Sequence, residues 1–196
     1  MKKVMIVVLC LASPMLYATN LLVNPGFETG DTTGWGARFG VGSVEVITEN
    51  PAPHSGDYAG RDFDRTGNWN GIWQTQNMRD VTQLGVNYTV SVWLRTSTPD
   101  PINVAVTMQY EPTGGSAYDQ IGNINVDNTA WVLFEANYMM LDNDSTTATF
   151  YIETTGGTGS DTAEIYVDDA VFEIPEPTTM ALLGLGSLLA LKRRRG

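Results

Sequence analysis

The chain has 196 residues, and its 22 acidic against 11 basic side chains give a formal net charge of −11. The charge is uneven, because residues 19–174 carry 21 of the acids, five arginines and no lysine, a net charge near −16. A surface of this sign repels a phosphate backbone, so the composition excludes nucleic acid as a partner and favours a cation. The single cysteine, Cys10, and the single histidine, His54, exclude disulfides, zinc fingers and most Ser-His-Asp schemes.

Residues 1–18 have the composition of an export signal. Two lysines are followed by an apolar stretch, a proline and a small residue at Ala18. The apolar stretch is too short to span a membrane as a helix. We therefore predict a Sec-type signal peptide that is cleaved after Ala18, which leaves the mature protein without cysteine and outside the cytoplasm.

Residues 19–174 are predicted to form an all-β domain. Short segments rich in Val, Ile, Thr and aromatic residues alternate with turns rich in Gly, Asn, Asp and Pro, and no helical period competes with them. About ten antiparallel strands in one domain favour a two-sheet jelly-roll sandwich over a small barrel. The candidate strands span residues 19–23, 41–48, 57–62, 71–77, 86–96, 102–110, 119–126, 130–138, 147–153 and 163–173.

Alternation places aromatic and polar side chains on the faces of three strands that point away from the core. These residues are Trp93, Arg95, Gln109, Tyr151 and Glu153. Tyr110 is a weaker candidate, because alternation puts it on the inner face and only its place at a strand end would let it turn outward. A sugar ring stacks its C–H faces on flat rings and needs polar partners for its hydroxyls, so this set predicts polysaccharide binding.

Five motifs in this domain resemble the carbohydrate-binding modules of families four, nine and twenty-two. In chain order they are residues 20–28 (NLLVNPGFE), 34–35 (GW), 54–58 (HSGDY), 84–93 (LGVNYTVSVW) and 165–169 (IYVDD). They span nearly the whole middle of the chain. The resemblance implies a calcium-stabilised jelly roll of the galactose-binding-like type and a carbohydrate ligand, and it leaves the particular glycan open.

The same resemblance implies residues for both ligands. A structural calcium would be held by Glu28, Asp168 and a backbone carbonyl near Asp57. Calcium prefers six to eight oxygen ligands that include carboxylates, and an acidic domain gains from it electrostatically. The alternative is that Asp168 or Asp169 is simply a solvated strand residue. The positions that match those of xylan-binding members are Arg38, Trp69 or Trp73, and Tyr151 with Glu153.

The C-terminal segment resembles the PEP-CTERM sorting tail of bacteria that make an extracellular polymeric matrix. It joins the triplet Pro175-Glu176-Pro177, an uncharged run at residues 178–191 and four consecutive bases. The resemblance implies cleavage near the triplet by an exosortase-type processing enzyme. The apolar run predicts a C-terminal hydrophobic helix that pauses in the inner membrane with its basic end cytoplasmic. An unprocessed membrane anchor is the alternative.

We therefore expect a signal peptide at residues 1–18, a β-sandwich at 19–174 and a sorting tail at 175–196. The expected function is non-catalytic binding of polysaccharide at the cell envelope, the outer surface or in the extracellular matrix. A matrix or surface protein that uses the sandwich only as a scaffold is the alternative. An enzyme is not expected, because the sequence lacks the Glu-x-Asp-x-x-Glu pattern of jelly-roll glucanases.

Overall fold

The computed structural model describes residues 19–174, which form ten β-strands and two short 3₁₀ helices. The strands are β1 Trp35–Ala37, β2 Ser43–Ile47, β3 Ala59–Phe63, β4 Gly71–Gln74, β5 Asn87–Thr96, β6 Ile102–Tyr110, β7 Ala117–Val126, β8 Val132–Met139, β9 Ala148–Gly156 and β10 Ile165–Glu173. The 3₁₀ helices span Arg38–Gly40 and Met78–Asp80. The predicted all-β class is confirmed.

The strands form two antiparallel sheets of five strands each. Sheet I has the order β1-β4-β9-β6-β7, and sheet II has the order β2-β3-β10-β5-β8. Apolar side chains from both sheets join in one core between them, as the predicted two-sheet sandwich requires. Because residues 19–174 enclose a complete core of their own, they have the anatomy of an independently folding domain.

The alternation read from the sequence sets the faces of the central strands. In β5, the side chains of Tyr88, Val90, Val92 and Leu94 are fully buried. In β6 the inner set predicted by alternation, from Ile102 to Met108, is also buried. The intervening residues of each strand therefore lie on the outer face of its sheet, although Ala105 and Thr107 of β6 are buried there as well.

Residues 19–23 are not a strand, contrary to the prediction. The segment lies beside the end of β10, where the Leu21 N–H donates to the Phe172 carbonyl at 2.8 Å. The Asn20 side chain makes the next two bonds, since its Nδ2 donates to the Ala170 carbonyl at 2.7 Å and its Oδ1 accepts from the Phe172 N–H at 3.0 Å. A side chain thus makes bonds that a strand would make with its backbone, and Leu22 and Val23 lie in a bend outside the regular pairing.

Strand β1 was missed by the sequence reasoning because it has only three residues, two of them small. It pairs with β4, with Trp35 opposite Gln74 and Ala37 opposite Ile72. The Trp35 ring is buried and stacks on Phe27 with the ring centroids 5.3 Å apart. This short strand matters for function, because Arg38 follows it directly at the edge of sheet I.

The predicted signal peptide and sorting tail lie outside the described residues. Between residues 19 and 174, no helix has the length and apolar character needed to cross a bilayer.

Candidate functional site

A cleft of about 370 Å³ lies on the outer face of sheet I. The residues that line it are Arg38, Phe39, Trp69, Tyr118, Tyr151 and Glu153. Strand register brings the distant members together, because Gln109 of β6 pairs with Tyr118 of β7 and Thr107 of β6 pairs with Tyr151 of β9. Arg38 enters from the end of β1, and Trp69 enters from the loop that precedes β4.

The Arg38 guanidinium makes most of the polar contacts in the cleft. Its Nη1 donates to the Trp69 carbonyl at 2.9 Å and to Oε2 of Glu153 at 3.0 Å, and its Nη2 donates to Oε1 of Gln109 at 2.8 Å. Only 4% of the Arg38 side chain and 13% of the Glu153 side chain are exposed. Water screens this ion pair poorly, so it holds its three segments together more firmly than a surface pair would.

The Tyr151 ring lies beneath this guanidinium. The Arg38 Cζ is 3.5 Å from the ring centroid, and the Tyr151 hydroxyl donates to Oε1 of Glu153 at 3.2 Å. Burial raises the pKa of both Tyr151 and Glu153 above their ordinary values, and the charge of Arg38 opposes the rise for both groups. Because only 1% of Tyr151 is exposed, it supports Arg38 and Glu153 from below and has no free face for a ligand.

Three aromatic side chains in the cleft are exposed. The exposed fraction is 59% for Phe39, 64% for Trp69 and 57% for Tyr118. The Arg38 guanidinium lies 4.3 Å from the Phe39 ring and 5.6 Å from the Tyr118 ring. Exposed aromatic rings around a fixed polar centre are typical of a ligand site rather than of an ordinary surface.

The loop that carries Trp69 is anchored by the buried side chain of Arg65. Its Nε donates to the Asn70 carbonyl at 2.8 Å, and its Nη2 donates to Oγ1 of Thr154 in β9 at 2.7 Å. Its Nε also lies 3.2 Å from Oδ2 of Asp62, with both side chains fully buried. Burial raises the pKa of Asp62 to about 7 and lowers that of Arg65. The Trp69 loop is therefore anchored by a buried ion pair, Arg65 with Asp62, that is shielded from water.

The structure brings five of the predicted sugar-binding residues to this cleft. They are Arg38, Trp69, Gln109, Tyr151 and Glu153. Trp73 is paired with Tyr151 on the same face, but it does not line the cleft. Its indole instead covers Gly36 of β1, where an added Cβ would lie only 2.9 Å from the indole nitrogen.

Trp93 and Arg95 lie on the outer face of the other sheet. The Trp93 indole stacks on the His54 ring, with the centroids 3.8 Å apart and the planes at 15°. Arg95 donates from Nη2 to the Asn128 carbonyl at 2.5 Å and borders a separate depression of about 340 Å³. The outward-facing residues predicted on three strands are therefore divided between the two sheets, and these two residues are not part of the cleft.

The assignment of Tyr110 to the binding surface is wrong. Its side chain is fully buried, as strict alternation indicated, and its place at the end of β6 does not turn it outward. The hydroxyls of Tyr110 and Tyr138 lie 2.6 Å apart, and the Tyr110 hydroxyl also accepts from the Leu141 N–H at 3.1 Å. Tyr110 is a core residue whose polar end is satisfied inside the protein.

Phe39 and Tyr118 were missed by the sequence reasoning. Tyr118 precedes the predicted strand 119–126 by one residue, whereas β7 begins at Ala117. Extending the alternation back from Gln120 would have placed Tyr118 on the outer face. Phe39 lies in a turn, where no periodic pattern could have identified it.

The carboxylates predicted to hold calcium lie at one end of the sandwich. Glu28 accepts from the Asp57 N–H at 3.2 and 3.3 Å, and Asp168 accepts from the His54 N–H at 2.8 Å. Both border Gly26, where an added Cβ would lie 3.5 Å from Oδ1 of Asp168 and 3.7 Å from Cγ of Glu28. Within residues 19–174, no three Asp, Glu, His or Cys side chains converge as a metal-binding group.

Asp168 is a carboxylate whose two oxygens accept from three backbone N–H groups, those of His54, Ser55 and Asp169. It is fully buried, and it forms no ion pair with any residue of the described domain. Burial raises its pKa to about 6, and the neighbouring charge of Asp169 adds to the rise. A hard divalent cation suits carboxylate oxygens in this setting, so the donor chemistry of Glu28 and Asp168 fits calcium, with backbone carbonyls needed to complete the ligand set.

The chain is similar to part of a known xylanase and to solved carbohydrate-binding modules. It is 28% identical over 156 residues to Endo-1,4-beta-xylanase A of Thermoanaerobacterium saccharolyticum, covering 76% of this chain and only 12% of that enzyme. The fold is similar to a xylan-binding domain of Paenibacillus barcinonensis Xyn10C, with a TM-score of 0.65, 24% identity and coverage of 76% of this chain and 90% of the other. It is also similar to the C-terminal family 22 carbohydrate-binding module of Clostridium thermocellum Xyn10B, with a TM-score of 0.60 and 25% identity. That match covers 74% of this chain and 91% of the other.

Family models match both functional parts of the chain. A model described as a carbohydrate binding domain matches residues 19–163, well over half of the chain. A model of the PEP-CTERM protein-sorting motif matches residues 173–195. The predicted resemblances are thus confirmed, and the domain is a binding module rather than an enzyme. The chain belongs to the carbohydrate binding domain family and carries a PEP-CTERM sorting motif near its C-terminus.

Proposed function

We propose that this is an exported protein whose sheet I cleft binds xylan. The observation that carries the proposal is the pair of exposed rings, Trp69 and Tyr118, around the buried and ion-paired guanidinium of Arg38. The similarity to a xylan-binding domain of family 22, at 25% identity, and to part of a xylanase supports xylan as the first ligand to test.

In the cleft, a glycan would stack on aromatic rings and form hydrogen bonds with polar side chains. Sugar rings would stack their C–H faces on Trp69 and Tyr118, while hydroxyls would meet the amide of Gln109 and the carboxylate of Glu153. Sugar hydroxyls are well hydrated, so each hydrogen bond has a small net value and stacking carries much of the affinity. The polar groups are already fixed by Arg38, so little side-chain entropy is lost on binding.

Affinity gel electrophoresis of residues 19–174 tests the proposal. We expect retardation on gels that contain xylan, with β-glucan, soluble cellulose and the host exopolysaccharide as comparisons. Trp69→Ala should lose the retardation. Trp131→Ala is the matched control, because Trp131 lies outside the cleft and bonds to the Ala52 carbonyl. No retardation on any gel would contradict glycan binding and leave the scaffold alternative.

Xylan binding is expected to weaken as the pH falls. Glu153 must be ionised to hold Arg38, and burial raises its pKa above the ordinary value for a glutamate. Above that pKa the carboxylate pairs with Arg38, and below it the protonated carboxyl loses the ion pair, so affinity is present at higher pH and lost on acidification. Isothermal titration calorimetry with xylohexaose between about pH 4 and 8 would measure this.

The control for this pH dependence is Glu153→Gln. Glutamine cannot titrate, so this variant should bind more weakly than the wild type but with a flatter pH profile. A wild-type affinity that is constant over the same range would show that the Arg38–Glu153 pair does not control binding.

We also propose that Glu28 and Asp168 bind a structural calcium ion. Support comes from the buried carboxylate of Asp168, which has no cationic partner among residues 19–174, and from the position of both side chains around Gly26. When bound, the ion would supply the positive charge that this end of the domain lacks. It would join the N-terminal segment to β10, since Glu28 and Asp168 come from those two parts of the chain.

Chelation is therefore expected to lower the melting temperature. At a calcium concentration about 100 times its Kd, binding adds about 3 kcal/mol to the free energy of unfolding, which corresponds to roughly 5 to 10 °C for a domain of this size. Differential scanning calorimetry with EDTA and with added calcium would measure the shift. Asp168→Asn should remove the response, whereas Asp142→Asn, in an exposed loop, should keep it. A wild-type melting temperature indifferent to chelator would contradict the site.

We propose that the two ends of the chain direct export and sorting. Residues 1–18 would lead the chain across the inner membrane, and residues 178–191 would hold it there with the C-terminus cytoplasmic. An exosortase-type enzyme would then cut near Pro175-Glu176-Pro177, as the match to the sorting motif supports. Mass spectrometry of the protein from the cell envelope would reveal a C-terminus near the triplet. An intact tail would instead favour the unprocessed anchor.

A further inference from the structure

Phe39 lies in the cleft and does not pack in the apolar core. Its ring is 59% exposed and is not part of the apolar core. It belongs to the short segment that leaves β1 in sheet I and leads to β2 in sheet II. A polar or small residue would make this connection in water without exposing a large apolar surface.

The backbone at Phe39 is unfavourable for a bulky residue. Its φ of 59° and ψ of 11° lie in the left-handed region, which glycine adopts freely and which disfavours residues with a Cβ. Gly40 follows with a φ of 66°. Glycine would suit the backbone conformation at position 39, but the sequence has phenylalanine there. Phe27 has the same φ of 59°, but its ring is fully buried in the core, whereas the ring of Phe39 is exposed.

The ring stands among groups that already form the cleft. It lines the cleft together with Trp69 and Tyr118, and its centroid is 4.3 Å from the Arg38 guanidinium. A Phe39 ring that only covered Arg38 would not need to be this exposed to solvent. The Arg38 side chain is only 4% exposed, and Tyr151 packs against it at 3.5 Å.

We propose that Phe39 is a further sugar-contacting residue, whose ring packs against a sugar of the bound chain as a third aromatic surface beside Trp69 and Tyr118. The proposal rests on the proposed function of the cleft and adds a contact to it. Phe39 offers no hydrogen bond, so it adds stacking area and selects for a sugar face without charge. The cleft would then hold the glycan between rings that come from three separate segments of the chain.

The test uses Phe39→Gly, Phe39→Leu and Phe39→Tyr in residues 19–174. Isothermal titration calorimetry with xylohexaose is expected to give about tenfold weaker binding for Phe39→Gly, near wild-type binding for Phe39→Tyr and an intermediate value for Phe39→Leu. The melting temperature of Phe39→Gly should equal or exceed that of the wild type, because glycine relieves the left-handed backbone. Leu84→Gly, a loop residue with 50% exposure, is the matched control and should bind normally.

Each alternative outcome has a distinct reading. If the wild type binds xylohexaose and Phe39→Gly binds it equally well, Phe39 does not contact the sugar, and the proposed function of the cleft still stands. A lower melting temperature for Phe39→Gly, with stability and affinity both restored by Phe39→Leu, would make the ring a structural cover and also overturn the proposal. Failure of the wild type to bind any glycan would remove the proposed function, and the contact at Phe39 with it.

Discussion

Replacing Arg38 with alanine is expected to abolish the retardation on xylan gels and to weaken binding at least about 100-fold, or roughly 2.7 kcal/mol. The substitution removes the bonds that join the Trp69 loop, β6 and β9 in one polar centre. It also leaves the shielded carboxylate of Glu153 without its cation. Affinity electrophoresis and calorimetry with xylohexaose would measure the loss.

Stability and binding can be separated by a second substitution. Arg38→Ala should also lower the free energy of unfolding by about 3 kcal/mol, because it breaks a shielded ion pair. Arg38→Lys keeps the positive charge near Glu153 but lacks the planar fork that reaches Gln109 and the Trp69 carbonyl together. We expect this variant to melt near the wild type and to bind more than about tenfold more weakly.

The matched control for these variants is Arg95→Ala on the outer face of sheet II. Arg95 is an arginine of the same domain that donates to one carbonyl and does not line the cleft. Its substitution should leave xylan binding unchanged. A loss of binding in Arg95→Ala, together with normal binding in Arg38→Ala, would move the site to the other sheet.

Tyr151 illustrates what alternation can and cannot predict. The period of two correctly placed Tyr151 and Glu153 on the outer face of β9. The pattern contains no information about what covers that face, and the Arg38 guanidinium lies over the ring. Tyr151 therefore points outward, as predicted, but its ring is covered by Arg38 and does not offer the expected stacking surface. Removing its buried ring should lower stability as well as binding.

The fold was predictable where local signals agree with tertiary pairing. Residues 102–110 coincide with β6, because apolar alternation there is bounded by Pro101 and Pro112. Residues 19–23 have a similar apolar character, but the side chain of Asn20 takes the hydrogen bonds that would define a strand. A short apolar stretch without regular alternation is therefore a weak indication of a hydrogen-bonded strand.

The polar organisation of the site could not be predicted from local pattern. Arg38 and Glu153 are 115 residues apart, and nothing in the sequence around either residue indicates the other. The two positions could be linked only through a resemblance to xylan-binding modules. Phe39 and Arg65 lie outside the motifs that carried that resemblance. The role proposed for Phe39 rests on a turn geometry, and the anchoring by Arg65 rests on a buried charge, and only the folded chain displays either feature.

Replacing Arg65 with methionine is expected to lower the free energy of unfolding by about 3 to 5 kcal/mol, or roughly 10 °C in melting temperature. The change leaves Asp62 buried without its cation and removes the donor to the Asn70 carbonyl and to Thr154. The loop that carries Trp69 then loses its anchor. Xylan binding should therefore weaken even at temperatures where the variant is folded. Calorimetric unfolding and titration with xylohexaose would measure the two effects.

A double variant separates the charge of Arg65 from its hydrogen bonds. Arg65→Met with Asp62→Asn removes both charges, so it should be more stable than Arg65→Met alone while its binding remains weak. Equal instability of the single and double variants would show that the charge left on Asp62 is not the cause. Recovered binding in the double variant would show that the loop does not depend on the hydrogen bonds of Arg65. Arg79→Met is the control for the loss of hydrogen bonds without the loss of an ion pair, because Arg79 donates to the Leu141 carbonyl and to Asn143 but forms no ion pair within residues 19–174. It should lower the free energy of unfolding less than Arg65→Met does.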